Sequence, residues 1–131
     1  MREVVIVSGA RTPVGRFGGS FKDVSAPDLG ATAIKSALER SGISADMVDE
    51  VVIGNAVQAA EAGYAARLSS LKSGIPEETP TIAINRQCSS GLEAINIAAQ
   101  LIKTGEADIA IAGGTENMSQ VPYLIDYKAR F

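Results

Sequence analysis

The stretch Thr81-Ile-Ala-Ile-Asn-Arg-Gln-Cys-Ser-Ser-Gly-Leu92 contains the transition that decides the fold. It opens with a short apolar run that is typical of a buried strand. Small and polar residues follow, and then a long apolar pattern predicts a helix from about Cys88 to Thr104, with Gly105 as its stop. A strand that turns directly into a helix therefore places Cys88 at the helix N-terminus.

Three further runs resemble this strand, so we predict four buried strands. They are short, apolar and rich in β-branched residues: Glu3-Val-Val-Ile-Val-Ser-Gly9, Val51-Val-Ile-Gly-Asn-Ala-Val57 and Asp108-Ile-Ala-Ile-Ala112, beside Thr81-Ile-Ala-Ile-Asn85. Strands that alternate with helices favour parallel βαβ units. We expect an α/β fold with a mainly parallel sheet and βαβ crossovers.

Helical patterns fill the intervals between these runs. The first helix has a possible capping box at Ser25 and Asp28 and a stop at Gly42, and a weaker second pattern ends at Gly74. The third helix is apolar around most of its circumference, with a narrow polar stripe of Glu93, Asn96, Gln100 and Lys103. Such a helix is expected to be buried between two layers.

Composition excludes several classes of function. The 131 residues carry a formal charge of −3, and their 12 lysines and arginines are scattered, which argues against a nucleic-acid surface. Histidine is absent, which excludes Ser-His-Asp and Cys-His catalysis within the chain and most transition-metal sites. We expect no metal site, no cofactor and no membrane association, and a cytoplasmic location.

The chain has one cysteine, Cys88, which leaves three interpretations: a small buried hydrophobic residue, a reactive thiol, or half of an intermolecular disulfide. The position at a helix N-terminus favours the thiolate, because free amides and the helix dipole stabilise negative charge there. Small residues at Ser89, Ser90 and Gly91 would let a substrate approach, and amides of the turn could stabilise an oxyanion.

Two glycine-rich segments call for separate interpretation. Residues 11–21 match neither the dinucleotide-binding fingerprint nor the P-loop, which favours a structural turn over a phosphate site. For Gly113 and Gly114 we expect a tight turn with positive φ rather than direct ligand contact.

Asn85-Arg-Gln-Cys-Ser-Ser-Gly-Leu92 closely resembles the active-site cysteine signature of thiolases. Three further segments resemble the same family in the same order: Gly9-Ala-Arg-Thr-Pro-Val-Gly-Arg-Phe-Gly-Gly19, Gly74-Ile-Pro76 and Gly113-Gly-Thr-Glu-Asn-Met-Ser119. The resemblance covers essentially the whole chain but only the amino-terminal portion of a thiolase. It implies a thiolase-like amino-terminal half-domain, with residues 1–118 as the first part of the core domain and 119–131 as the beginning of the loop domain.

The resemblance also implies a mechanism. Cys88 would accept an acyl group from a CoA thioester or 3-ketoacyl-CoA and pass it to CoA or to an acetyl-CoA carbanion, as in fatty acid metabolism, with CoA thioesters as substrates. In thiolases a histidine and a second cysteine of the carboxy-terminal half supply the acid and base. Because this chain has neither, we expect it to need that half from elsewhere and to be inactive alone.

Further expectations follow from the resemblance. Glu116 and Met118 would lie near the cysteine in supporting roles, and the protein would form a dimer or a dimer of dimers in which residues 81–87 pair antiparallel across a two-fold axis. A central strand within one subunit is the alternative for that segment. Ala62-Gly63-Tyr64 stands where many thiolases have Gly-Gln-Asn. This difference resembles a branch of the family that acts on 3-ketoacyl-CoA. Alternatives for the function are a β-ketoacyl synthase or hydroxymethylglutaryl-CoA synthase relative, or a non-catalytic thiolase-like subunit.

Overall fold

The computed structural model describes residues 2–130 as alternating helices and parallel strands. Six elements form the framework, in the order α1 Ala26–Ser41, β1 Glu50–Gly54, α2 Ala65–Ser73, β2 Thr81–Ile84, α3 Ser90–Thr104 and β3 Ala110–Gly114. The three strands form one sheet in the order β2-β1-β3, and both pairings are parallel. The predicted α/β class, the parallel sheet and the βαβ crossovers are therefore confirmed.

Alternation along β1 divides the core between the two faces of the sheet. Val51 and Ile53 point to the face covered by α1 and α2, where they join Ile34. Val52 points to the opposite face and packs against Ala94 and Ala98 of α3. Since β1 is the central strand and is buried on both faces, its run is apolar without interruption.

The ends of the helices follow the predicted caps. Ser25 is the N-cap of α1 and its side chain accepts a hydrogen bond from the Asp28 amide. Gly42 and Gly105 end α1 and α3 in the left-handed conformation, with φ of 70° and 81°. Helix α3 begins at Ser90, two residues after the predicted start, so Cys88 lies in the turn before the helix.

Helix α3 covers the sheet with one face only. Ala94 and Ala98 are buried on that face, whereas Leu92 and Ile95 on the outer face are 64% and 42% exposed. Ala99 and Ile102 continue this outer apolar row at helical spacing and are half-buried. Within residues 2–130, the second layer expected over this helix does not cover Leu92 or Ile95.

The predicted strand at residues 3–9 is wrong for the described structure. Val5, Ile6 and Val7 are 66%, 85% and 66% exposed, and the segment forms no ladder with β1, β2 or β3. An apolar run becomes a strand only when another backbone lies beside it and accepts its hydrogen bonds, and here residues 7–10 and β3 line a common cavity of about 230 Å³ without forming a ladder. Pairing of the sheet is therefore limited to three strands.

No helix in the described part of the chain is both long enough and apolar enough to cross a bilayer.

Candidate active site

The carboxyl ends of all three strands lie at one edge of the sheet. Gly54, Ile84 and Gly114 end β1, β2 and β3, and each is followed by a polar residue: Asn55, Asn85 and Thr115. Two backbone hydrogen bonds continue across these ends, from Asn55 N to Ile84 O at 3.0 Å and from Thr115 N to Gly54 O at 3.0 Å. In parallel α/β sheets this edge is where ligands bind.

Cys88 is an exposed free thiol at this edge. It lies in the turn between β2 and α3, immediately before the Ser89 N-cap. The Ser89 side chain makes no capping hydrogen bond to α3, and the first turn of the helix carries one acidic residue, Glu93, which pairs with Arg86 at 2.9 Å. Among the described residues, Cys88 therefore does not fill a buried space, and its thiol is accessible.

Hydrogen bonds of Ser90 hold this turn in shape. The Ser90 hydroxyl accepts a hydrogen bond from Arg86 N at 2.8 Å and donates one to Gln87 O at 2.6 Å, and the residue is 4% exposed. Gln87 has a φ of 54°, a left-handed conformation that is rare outside glycine. A non-glycine residue keeps such a conformation only where its surroundings enforce it, and here it directly precedes Cys88.

The turn also uses two amides that the sequence suggested for oxyanion binding. Ser89 N donates to Arg86 O at 3.2 Å and Ser90 N donates to Gln87 O at 3.1 Å. Because these amides already have acceptors inside the turn, neither is available for an oxyanion.

Three glycines bring the start of α3 against the ends of β1 and β3. A Cβ added to Gly54 would lie 2.4 Å from the carbonyl carbon of Ser90 and 2.6 Å from Gly91 N. A Cβ added to Gly114 would lie 3.2 Å from both Gly54 O and the Gly91 Cα. These contacts are between backbones, so a side chain on Gly54 would displace the first turn of α3.

The expected tight turn at Gly113 and Gly114 is wrong. Both residues belong to β3 and neither has a positive φ. Gly114 allows the backbones of β3, β1 and α3 to approach closely and does not form a turn. A Cβ at Gly113 would meet no atom within 4 Å.

The Glu116 carboxylate, just beyond β3, binds the loop that follows β1. Its Oε2 accepts hydrogen bonds from Ala56 N at 2.8 Å and Val57 N at 3.2 Å, and its Oε1 accepts one from Asn55 Nδ2 at 2.8 Å. Three donors on one carboxylate fix the 55–57 loop against the end of β3.

Asn85 connects this loop to the cysteine turn. Its Nδ2 donates to Ala56 O at 2.9 Å, and its Oδ1 accepts from Gln87 N at 3.0 Å. The sequence alone assigned no role to Asn85 or to Asn55. Both residues share one feature that is visible in the sequence: each is polar and directly follows a buried strand.

The glycine-rich segment at residues 11–21 packs on the loop that follows β3. Gly18 N donates to the Ser119 hydroxyl at 2.9 Å, and Asn117 Nδ2 donates to Phe21 O at 2.8 Å and Val24 O at 2.6 Å. These contacts support the predicted structural turn. Met118, expected beside the cysteine, is 55% exposed.

Comparison with known proteins identifies the family of this chain. Residues 4–131 match the family described as the thiolase N-terminal domain. The chain belongs to the thiolase family.

Curated thiolase relatives of this chain include the probable acetyl-CoA acyltransferases of Staphylococcus aureus strains NCTC 8325 / PS 47 and COL. Each is 48% identical over 126 residues, which cover 96% of this chain and 32% of the relative. The chain thus spans about a third of the length of these relatives, as the predicted resemblance to an amino-terminal portion required.

The departure from the common thiolase pattern lies at the start of α2. Tyr64 is the N-cap residue of this helix and is 71% exposed, and its side chain makes no capping hydrogen bond. Glu61 and Ala62 line a cavity of about 220 Å³ together with Val57 and Glu116. The changed thiolase segment therefore lies beside the loop that Glu116 holds.

Proposed function

We propose that the protein carrying this chain is an acetyl-CoA C-acyltransferase that moves acyl groups between CoA thioesters, with Cys88 as the nucleophile. The observation that carries the proposal is the exposed Cys88 thiol in a rigid turn at the positive end of α3. The printed name of the Staphylococcus aureus relatives, probable acetyl-CoA acyltransferase, supports the same reaction class.

In the first half-reaction, the Cys88 thiolate attacks the carbonyl carbon of an acyl-CoA thioester. A bond forms between Sγ and the acyl carbon, the bond from that carbon to the CoA sulfur breaks, and the CoA thiolate takes up a proton. In the second half-reaction, an acetyl-CoA carbanion attacks the acyl carbon, a C–C bond forms, and the bond to Sγ breaks to restore the thiolate. In the direction of cleavage, Cys88 instead attacks the 3-keto carbon of 3-ketoacyl-CoA, the bond between C2 and C3 breaks, and the acetyl-CoA carbanion leaves and takes up a proton. CoA then attacks the acyl carbon and displaces Sγ. Covalent catalysis replaces one difficult transfer by two easier ones.

The chain supplies the nucleophile but no histidine and no second cysteine. By resemblance to thiolases, both the base that forms the carbanion and the acid that protonates the leaving thiolate belong to residues outside this chain. We therefore expect these 131 residues alone to show little or no turnover, with acyl-CoA as the substrate of the complete protein and with no resident cofactor.

A homodimer is part of the proposal. Among residues 2–130, strand β2 pairs with β1 alone and lies at an edge of the sheet, and its Ala83 is exposed. An unpaired edge of this kind supports antiparallel pairing with a second copy. Because the active thiol requires reducing conditions, we place the reaction in the cytoplasm.

Acetylation of Cys88 tests the proposal. The protein carrying this chain is mixed rapidly with acetyl-CoA and its intact mass is measured, and we expect one acetyl group that hydroxylamine removes. Cys88→Ser should abolish the adduct and keep the fold, because the hydroxyl is nearly isosteric but a far weaker nucleophile at neutral pH.

Ser119→Ala serves as the matched control, since it removes a hydroxyl from a neighbouring loop and leaves the thiol in place. An acetyl adduct that persists in Cys88→Ser would show that another residue is the nucleophile. An unmodified wild-type protein would favour a non-catalytic thiolase-like subunit.

A further inference from the structure

We propose that Glu116 is a positioning residue for Cys88, which it reaches through a directed chain of hydrogen bonds across the ends of all three strands. The inference rests on the proposed function, because it assigns a role in the reaction of Cys88. We call the four groups involved the Glu116 chain: the Gln87 amide, the Asn85 side chain, the peptide between Ala56 and Val57, and the Glu116 carboxylate.

Every donor in the Glu116 chain points the same way. Gln87 N donates to Asn85 Oδ1 at 3.0 Å, and Asn85 Nδ2 donates to Ala56 O at 2.9 Å. Val57 N, on the same peptide as that carbonyl, donates to Glu116 Oε2 at 3.2 Å. Hydrogen bonds arranged head to tail through amides polarise one another, and an anion at the acceptor end strengthens the series.

Gln87, at the other end of the Glu116 chain, is the residue whose backbone needs support. Its φ of 54° is unfavourable for a side chain, and its peptide groups are held on both sides. The Glu116 chain holds its amide, while the Ser90 hydroxyl holds its carbonyl oxygen at 2.6 Å. The next residue is Cys88, so this double hold sets the direction in which the thiol leaves the turn.

A carboxylate fits the acceptor end better than any other side chain of the same size. Glu116 faces three N–H donors, from Asn55, Ala56 and Val57. A carboxylate has only acceptors, whereas the glutamine amide has one oxygen and an NH₂ group that would face at least one of these donors. Glu116→Gln therefore preserves the shape of the side chain but no longer offers an acceptor to all three N–H donors.

The test uses the protein that carries this chain and measures acetylation of Cys88 by acetyl-CoA. Glu116→Gln is expected to lower the acetylation rate by about 10–100-fold, since misplacement of a reacting group by about 1 Å has effects of that size. The loss should appear in kcat with little change in KM. Glu61→Gln is the matched control, because it removes the same charge from a residue that lines the same cavity and forms only a 3.6 Å ion pair with Lys72.

Formate separates positioning from general stability. Glu116 borders cavities of about 220 and 320 Å³, so a small carboxylate can reach the space left in Glu116→Ala. We expect formate to restore part of the acetylation rate in that variant and to have no effect on the wild type. Asn85→Asp interrupts the Glu116 chain at a second point, and in combination with Glu116→Gln it should lower the rate no further than the stronger single change.

Each outcome decides for or against the proposal. Wild-type acetylation rates in Glu116→Gln, additive losses in the double variant, or failure of formate would overturn the positioning role while leaving Cys88 as the nucleophile. If the wild type is not acetylated, the proposed function fails instead. The same variants are then compared by the rate of Cys88 alkylation with iodoacetamide, where equal rates would also overturn the positioning role.

Discussion

Gly54→Ala should disrupt both stability and the cysteine turn, because the added methyl group has no space. Its Cβ would lie 2.4 Å from the Ser90 carbonyl carbon, 2.5 Å from Ser90 O and 2.6 Å from Gly91 N. Ordinary carbon contacts begin near 3.5 Å, so the first turn of α3 must move away by about 1 Å. All three atoms belong to the backbone, and no side-chain rotation relieves the overlap.

The cost of overpacking is about 1–3 kcal/mol, and the three backbone contacts place Gly54→Ala near the upper value. For a domain of this size we expect the melting temperature to fall by about 10 °C. The same displacement moves the turn that carries Cys88, so the acetylation rate should fall by about 100-fold. Calorimetry and rapid-mixing mass spectrometry measure the two effects.

Gly113→Ala is the control for this substitution. Gly113 lies on the adjacent strand, and its added Cβ would meet no atom within 4 Å. We expect near-wild-type melting and acetylation. A Gly54→Ala protein that matches this control in both measurements would show that the close approach of α3 to β1 is not required.

Two further predictions concern the sheet. Asp49 accepts hydrogen bonds from the Ile109 and Asp108 amides, which lower the pKa of its carboxyl group below the usual value. A lowered folded-state pKa stabilises the fold above about pH 4, and this stabilisation is lost as the pH falls through the folded-state value. Asp49→Asn should therefore lower the free energy of unfolding at pH 7 by less than about 1 kcal/mol, since solvent screens the exposed carboxylate, and the difference should shrink in acid. Denaturant unfolding measures it, and a constant difference down to pH 2 would contradict this. Ala83→Lys at the exposed position of β2 should give monomers in sedimentation and reduce activity with them, whereas an active dimeric variant would refute pairing through β2.

Local patterns allowed the helices to be predicted with accurate ends. Ser25, Gly42 and Gly105 stop or start helices through contacts with residues within one or two turns, so their neighbours in the sequence are enough to identify them. The strand at residues 3–9 failed for the opposite reason. Its apolar pattern was genuine, but pairing depends on which backbone lies beside it, and that information is not local.

In the candidate site, too, some residues could be predicted from local sequence and others could not. Cys88 was identifiable because the strand, the turn and the helix that position it are consecutive in the sequence. Glu116 holds Asn55 from 61 residues away, and no periodicity relates the two positions. Only resemblance to thiolases suggested a supporting role for Glu116, and only the folded arrangement specifies which groups it binds.

The outer row of α3 has a consequence for the life of the protein in the cell. Leu92 and Ile95 lie exposed on a folded helix, so this part of the chain can complete its own core and still present apolar surface. General chaperones recognise surface of this kind in unfinished proteins. While the row is uncovered, a copy whose sheet is complete still presents the kind of surface that chaperones bind, so folding of the sheet and burial of α3 are separate steps.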